Sequence, residues 1–454
     1  MKNTTPQNKL NHWIKTSITA RMLMVGGLII ILLIPLGLIE ELILERTHRQ
    51  QDVVREINEK WGSEIVLYGP ILKIPYKTYS ESTKYIEENK TRVKELKTHL
   101  NYAYVFPNSL QAKIDANSKT LTRGNYQSAV FTTNMNFSGA FEVPSLVGKD
   151  IPDQDVVWEK ASLVLLTSNV KGIKHEIAVK LKANSYPLEA NFTSDVSPNA
   201  LNTLETGTLK TEKIALDSVL PFSLDMIFNG SESIKIVPVG KNTEMEMTSN
   251  WPDPGFTGHF LPDNETKEIT EKGFKAKWKV LQINRPFSQL HLNKIPSLSG
   301  FAFGTEFVVV VDELHKSERA AKYGFLVIGL TFLIFFLIQT LSKINIHPFQ
   351  YLMIGLALTL FYTLLVAITE HSNFLKAYAI AGTAVVLLIS TYAKSILKNL
   401  KFPVFIGLSL TALYTFIYVI IQLENYALLV GSIGLFLILA GVMFVSRKIE
   451  WNTD

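Results

Sequence analysis

Met22–Ile39 reads MLMVGGLIIILLIPLGLI, eighteen residues without a charge. As a helix rising 1.5 Å per residue it would span ~27 Å, close to the thickness of a bilayer's hydrocarbon. The run ends on Glu40-Glu41-Leu42-Ile43-Leu44, with no small-residue cleavage pattern behind it. It therefore reads as an uncleaved anchor rather than a signal peptide. Pro35 is a candidate kink. Beyond the anchor the helical spacing continues. Ile39, Ile43, Val53, Val54, Ile57 and Trp61 recur near one face with charges between them, and Gly62 is the expected stop. This stretch is expected to be a juxtamembrane helix packing on its own domain.

Five further apolar runs follow Lys322: Tyr323–Leu341, Tyr351–Thr369, Phe374–Ala393, Phe402–Leu423 and Tyr426–Val445. Lys376 is the one charge among them, a turn inside its segment. Helices of soluble proteins are seldom apolar all round for such lengths, and several of these runs begin or end on Tyr or Phe as interfacial belts do. Loop charges orient them. With the N-terminus inside, the cytoplasmic pieces carry Lys2, Lys9, Lys15, Arg21, Lys343, Lys394, Lys398, Lys401, Arg447 and Lys448. The short external turns, Glu370–Asn373 and Glu424–Asn425, carry no Lys or Arg. The positive-inside rule then puts both termini in the cytoplasm. The same turns are short enough to make antiparallel hairpins of the helices they join.

The expected organisation follows. Residues 1–21 form a cytoplasmic tail, 22–39 the anchor, 40–322 a periplasmic β-rich domain with its juxtamembrane helix, 323–445 five transmembrane helices, and 446–454 a cytoplasmic tail. The fold class is a six-helix membrane bundle, one plus five, with a large extracytoplasmic and mainly antiparallel β domain. Mean hydropathy, +0.18 over 454 residues, hides this division. So does the pI of 8.9. Residues 40–322 hold 34 Lys+Arg against 36 Asp+Glu, so the net charge of +5 comes from the membrane flanks. That removes nucleic-acid binding as a reason for the basicity.

Within the middle region the hydrophobic period changes from helical to two. Ile71–Lys77, Asn101–Phe106, Ser162–Leu166, Glu176–Leu181, Ser233–Val237, Thr243–Thr248, Phe274–Val280 and Phe307–Val311 read as strands. Pro75 marks an edge or a strand end. Turn signals at Pro107-Asn108, Asn229-Gly230, Pro252–Gly255 and Pro262–Asn264 separate them. Sheets packed as a sandwich are expected.

Chemistry is sparse. The chain has no cysteine, which removes disulfides, thiolate metal sites and cysteine nucleophiles. Nine histidines are scattered without H-E-x-x-H spacing, and His175-Glu176 would point to opposite faces of a strand. Ser168-Asn169-Val170-Lys171 and Ser395-Ile396-Leu397-Lys398 match S-x-x-K, but its companions S-D-N and K-T-G are missing. The membrane segments hold no ionisable group at their centres. Coupled transporters usually place such groups there. Thr359, Tyr362, Thr411, Tyr414 and Thr415 are expected to make interhelical hydrogen bonds. Gly431, Gly434 and Gly441 are expected to permit close packing of the last helix, and Glu370-His371 to sit solvated at the outer mouth of the Tyr351–Thr369 helix.

Longer stretches carry more information. They are Asn242–Phe256 (NTEMEMTSNWPDPGF), Gly258–Pro262, Gly273–Trp278, Arg319–Gly324, His347–Leu358, Phe361–Leu365, Glu370-His371, Ala440–Trp451 and Tyr68–Tyr76. In these the chain resembles the CreD family of bacterial inner-membrane proteins, over nearly its whole length. The resemblance implies a role in cell-envelope integrity and the envelope-stress response, with links to a two-component regulator, colicin tolerance and β-lactam susceptibility. It implies no activity, cofactor or catalytic residue. Where the family tends to show Asp-x-Arg-Gly, this chain has Asn169-Val170-Lys171-Gly172, which points to a structural turn.

The expected function is non-enzymatic, with the external domain binding an envelope component or a protein partner. The contact region is expected around Asn250, Trp251, Phe256 and Phe260, since aromatic residues on an irregular loop often bind. The opposing expectation is that Trp251 and Phe256 fill the domain core. Neither a catalytic residue, a metal ligand nor a cofactor is assigned. The expected partners are membrane lipid and an envelope or cell-wall component. Two alternatives stay open at this level: an enzyme acting on a lipid-linked or peptidoglycan intermediate, and a transporter or channel.

Overall fold

The computed structural model describes residues 18–86, 91–142, 146, 149–191, 201–209, 219–307, 309, 313–342, 344–397, 400–423 and 426–447. Lys2, Lys9, Lys15, Lys343, Lys398, Lys448 and the turn 424–425 lie outside them. The chain falls into two compact units, Val53–Val309 and Met1–Asp52 with Val310–Asp454.

Helix α1 runs from Ile18 to Trp61, 44 residues without a break at Pro35. At ~66 Å it is more than twice as long as the hydrocarbon is thick. Gly62 stops it as the sequence indicates, at φ 137°. A side chain there would also collide, because its Cβ would lie 2.4 Å from the Asn229 carbonyl oxygen.

After the β domain come α2 (Glu313–Lys322), α3 (Gly324–Ser342), α4 (Pro348–Thr369), α5 (Phe374–Ile396), α6 (Lys401–Gln422) and α7 (Ala427–Ser446). With α1, helices α3 to α7 make six among the described residues that are long and apolar enough to cross a membrane. Helices α3 to α7 begin and end within a few residues of their predicted runs, and α1 continues past its run through the expected juxtamembrane helix to Trp61. In the helical unit Leu32, Phe332, Tyr351 and Leu358 are buried in one core. Gly355 lets Leu32 approach α4, and Gly324 lets Leu36 approach α3. Tyr351 donates to Gln339 Oε1 at 2.8 Å, joining α4 to α3. Arg46 lies 3.4 Å from Glu370, so that carboxylate is paired rather than simply solvated. Helix α7 carries no buried residue.

Two expectations about these helices are corrected. Thr359, Thr411 and Thr415 donate to Leu356, Gly407 and Thr411 carbonyls in their own helices, not across to neighbours. A hydroxyl three or four residues along already has a carbonyl within reach and needs no partner helix. Of the three α7 glycines only Gly434 is closely packed, against Phe416, while Gly441 faces open space.

Among the described residues the β domain has sixteen strands: β1 (Ile65–Ile86), β2 (Thr91–Val105), β3 (Ser109–Arg123), β4 (Tyr126–Glu142), β5 (Ser162–Thr167), β6 (Ala178–Leu181), β7 (Asn184–Asn191) and β8 (Asn202–Thr206). Then come β9 (Val219–Ser231), β10 (Ser233–Ile236), β11 (Asn242–Ser249), β12 (Pro254–Gly258), β13 (Glu268–Thr270), β14 (Gly273–Leu281), β15 (Leu290–Leu292) and β16 (Phe303–Phe307). Hydrogen bonds link them in the order β12-β16-β10-β1-β5-β8-β7-β6-β9-β4-β3-β11-β14-β13, with β2 on β1 and β15 on β2. The sheet is mixed: β1–β10 and β3–β11 are parallel, the other described pairs antiparallel. It is not closed, since β12 and β13 end the path. Its two halves instead face each other across one core. Phe307 of β16 lies 4.6 Å, ring to ring, from Phe131 of β4, and Phe303 6.1 Å from Trp278 of β14.

Of the predicted strand Phe307–Val311, Phe307 closes β16. Among the described residues regular pairing covers Phe303–Phe307, where Gly304 and Thr305 face Lys235 and Ile234. Val308, Val310 and Val311 lie outside the described residues.

Candidate functional site

The end of α1 enters the β domain over a cleft of about 760 Å³. Its walls come from four distant parts of the sequence: Arg55, Asn58 and Glu59 on the helix, Val66 and Tyr68 on β1, Leu166 and Ser168 on and after β5, and Ile295–Ser299. Glu64 and Glu232 stand beside them.

Hydrogen bonds fix these walls. Asn58 is buried; its amide donates to Glu232 Oε1 at 2.7 Å, and its carbonyl accepts from Ser128 at 2.6 Å. Glu232 itself sits at φ 63°, a backbone region unusual for a residue with a side chain. Tyr68 donates to the Pro296 carbonyl at 3.0 Å, holding the 295–299 segment to β1. Burial pushes the Tyr68 hydroxyl up from its ordinary pKa, so it stays a donor at any physiological pH.

Behind the cleft lies the Asn169–Gly172 turn. Asn169 is 2% exposed, and its amide nitrogen donates to the Ser63 and Asn229 carbonyls at 3.1 and 2.9 Å. Its side-chain oxygen accepts from Gly172 N at 2.8 Å. This is a structural turn, as the departure from Asp-x-Arg-Gly suggested. Asparagine suits it because two of the partners need a donor, which an ionised aspartate lacks.

The S-x-x-K reading does not survive the geometry. Ser168 Oγ donates to the Glu64 carbonyl at 2.7 Å and accepts from Val66 N at 2.8 Å. The Lys171 ammonium donates instead to the Glu59 carbonyl. Ser395 donates to Tyr392 O in its own helix, and Lys398 lies outside the described residues. Among the described residues no group of His, Asp and Glu is placed to hold a metal ion.

The outer face of α1 is tied down by charge. Glu56 pairs with Arg123 on β3 and with Lys60 at 2.6 Å. Arg123 first, then Lys60, holds its carboxyl down at about 2, well below the ordinary 4.5. A depressed carboxylate contributes stability above its unfolded value, and that contribution is lost as pH falls toward 2. We expect Arg123→Ala to move the Glu56 midpoint upward toward 4.5 in a carboxyl ¹³C titration. An unmoved midpoint would mean that Lys60 alone sets it.

The four residues singled out in the sequence lie elsewhere, and none lines the cleft. Asn250 clamps β11 to β3, accepting from Ser118 N at 2.7 Å and donating to Ser118 O at 2.9 Å. Trp251 donates to the Asp253 carbonyl at 3.0 Å and sets its ring 6.5 Å from Phe307. Phe256 on β12 packs edge-on against Phe274 and Trp278 at 5.8 and 5.7 Å. Phe260 does the same against Phe303 at 5.7 Å. All three rings are partly buried against the core. Conversely, sequence reasoning missed Asn58, Tyr68, Ser168 and Glu232 as wall residues. No periodic or motif signal joins them, because only the fold brings them together.

Comparison with known proteins bears on the whole chain. The family model described as "Inner membrane protein CreD" matches residues 17–452. The chain is 29% identical over 441 residues to the inner membrane protein CreD of Escherichia coli (strain K12), covering 96% of this chain and 94% of that one. A crystal structure of a putative nutrient binding protein from Legionella pneumophila is also similar. It shows 10% identity, covers 50% of this chain and 73% of its own, and gives a TM-score of 0.25, a likeness too slight to carry an argument. Six apolar helices, a mixed β domain and a family match over almost every residue agree: the chain belongs to the CreD family of inner membrane proteins.

Proposed function

We propose that this chain is a non-enzymatic envelope-integrity protein whose β domain, outside the cytoplasmic membrane, binds an envelope component in the cleft at the end of α1. The cleft itself carries the reading. It has the volume of a ligand site, its walls are pre-set by partly buried hydrogen bonds, and it mixes apolar surface with polar and charged groups, Arg55, Glu59, Glu64 and Glu232 among them. A non-enzymatic role fits the state of Ser168, whose hydroxyl is committed to two backbone groups. In this reading the helices are arranged one plus five, both termini are cytoplasmic and residues 40–322 are periplasmic. The Lys and Arg asymmetry of the short loops supports that orientation. The segment around Asn250, Trp251, Phe256 and Phe260 is a second proposed contact. Leu261 supports it, a large apolar residue 71% exposed beside Phe260.

Two measurements test this. The absence of native cysteine makes single-cysteine labelling clean. Asn373→Cys should react with a membrane-impermeant maleimide in intact spheroplasts, and Lys401→Cys only after lysis. The reverse pattern would overturn the orientation. For binding, a photocrosslinking residue at Ser299, exposed on the cleft wall, should capture one envelope species. Capture should be lost when Ser297→Trp fills the mouth. Capture that ignores Ser297→Trp, or arises from position 251 alone, would move the site to the Trp251 segment.

A further inference from the structure

Strands β1 and β2 run past the rest of the sheet as a two-stranded ribbon. The last β1–β5 pair is at Lys73 and the last β2–β15 pair at Ala103, yet the β1–β2 ladder continues from Lys77 and Leu100 to Ile86 and Thr91. Tyr79 ties the base of the ribbon down, donating to Asp155 at 2.8 Å. Neither face is covered beyond it. Successive side chains of a strand point to opposite faces, and Leu96, Lys97, Thr98, His99 and Leu100 are all exposed. Leu96 is 62% exposed and Leu100 47%.

The outer edge of β2 is open as well. Asn293 N donates to the Tyr102 carbonyl at 2.7 Å, so Tyr102 turns its backbone groups away from β1. Strand alternation then gives Leu100, Thr98 and Leu96 outward N–H and C=O groups. Among the described residues no strand pairs with them. A two-stranded ribbon is marginal by itself, and a long bare edge is a template for another strand. The side chains select that strand. Antiparallel pairing of this edge with itself about Thr98 sets Leu96 opposite Leu100 twice, and Thr98 opposite Thr98. All of these are bonded pairs, and the Cβ atoms of opposite residues lie ~5 Å apart, so the exposed leucines cover each other. On the other face Lys97 would stand opposite His99, whose Nε2 lies 2.8 Å from Ser80 Oγ, and both stay in water. Asn293 ends the ladder at Tyr102. The ladder is short, but chains held in one membrane meet at high effective concentration.

We propose that the β2 edge is a homodimer interface, in which residues 96–100 pair antiparallel with the same residues of a second copy. The absence of native cysteine allows the test on the full-length protein in its membrane. With a bis-methanethiosulfonate linker of about 5 Å reach, Thr98→Cys should crosslink to itself. Leu96→Cys alone should not, because position 96 of one copy lies ~14 Å along the ladder from position 96 of the other. Leu100→Cys alone should fail for the same reason. Co-expressed, Leu96→Cys and Leu100→Cys should crosslink to each other. Thr98→Pro removes an outward N–H and leaves the β1–β2 bonds intact. Added to both chains of that pair, it should abolish the crosslink without moving the thermal transition. Four outcomes overturn the proposal: no crosslink from Thr98→Cys, equal crosslinking by all three single variants, a Leu96–Leu100 crosslink indifferent to Thr98→Pro, or capture from position 98 of a different polypeptide only.

Discussion

Trp278→Ala should destabilise the β domain by about 3–5 kcal/mol, the range for deleting a large aromatic from a packed core. Trp278 sits on β14 opposite Met245 of β11 and is 2% exposed. Its ring joins the two halves of the sheet, lying 5.7 Å from Phe256 and 6.1 Å from Phe303. The indole N–H has no hydrogen-bond partner, so the substitution loses packing and no polar contact. For a domain of this size the loss corresponds to a fall in midpoint of roughly 10 °C. A thermal scan of the full-length protein in detergent reads it directly. Trp278→Phe keeps most of the volume and should cost far less. An unshifted transition in Trp278→Ala would show that the two halves do not depend on each other through this ring.

Gly172→Ala should be nearly as damaging for a different reason. The added Cβ would lie 2.1 Å from the Asn229 carbonyl oxygen and 2.6 Å from Asn169 Nδ2. Neither can retreat cheaply. The Asn229 carbonyl accepts from Asn169, Asn229 N donates to Gly172 O at 2.8 Å, and Asn169 also holds Ser63 where α1 ends. Moving the turn strains the packing and leaves a buried carbonyl without a donor, together about 3 kcal/mol. Proteolysis just after Trp61 should accelerate in step, because the Ser63 carbonyl loses one of its two donors and keeps only Ser231 N. Gly207→Ala, with nothing within 4 Å of its Cβ, serves as the control and should change nothing. If both glycine variants behave alike, the Asn169 turn does not secure the end of α1.

The sequence was most legible where the surroundings impose a local rule. A bilayer demands a continuous apolar run of about twenty residues, and six runs reported six helices among the described residues, five of them within a few residues of their ends. The stop at Gly62 was legible for the same kind of reason. Strands with large alternating side chains, such as β11 and β14, were equally readable. The long β3–β4 hairpin was not. On β3 the buried positions after Leu110 are Ala112, Ile114, Ala116 and Ser118, mostly small or polar, so the period of two is faint. On β9, Leu220, Phe222, Leu224, Met226 and Phe228 alternate cleanly, but Pro221 between them argues against a strand. The fold tolerates it near the strand's start.

Tertiary structure decided what the sites are made of. Asn250, Trp251, Phe256 and Phe260 were visible as an aromatic turn, yet the sequence could not say that their rings would be set against Phe274, Trp278, Phe303 and Phe307. The cleft at the end of α1 draws on residues 55 to 299 and has no linear signature. The same holds for Leu96 and Leu100, which look in sequence like any apolar residues of a strand. The bare edge beside them appears only when β15 pairs with β2 as far as Ala103 and stops there. Membrane insertion and strand alternation act on neighbouring residues, so the chain records them in order. A cleft or a bare sheet edge depends on which distant segments meet, and that is fixed only by packing.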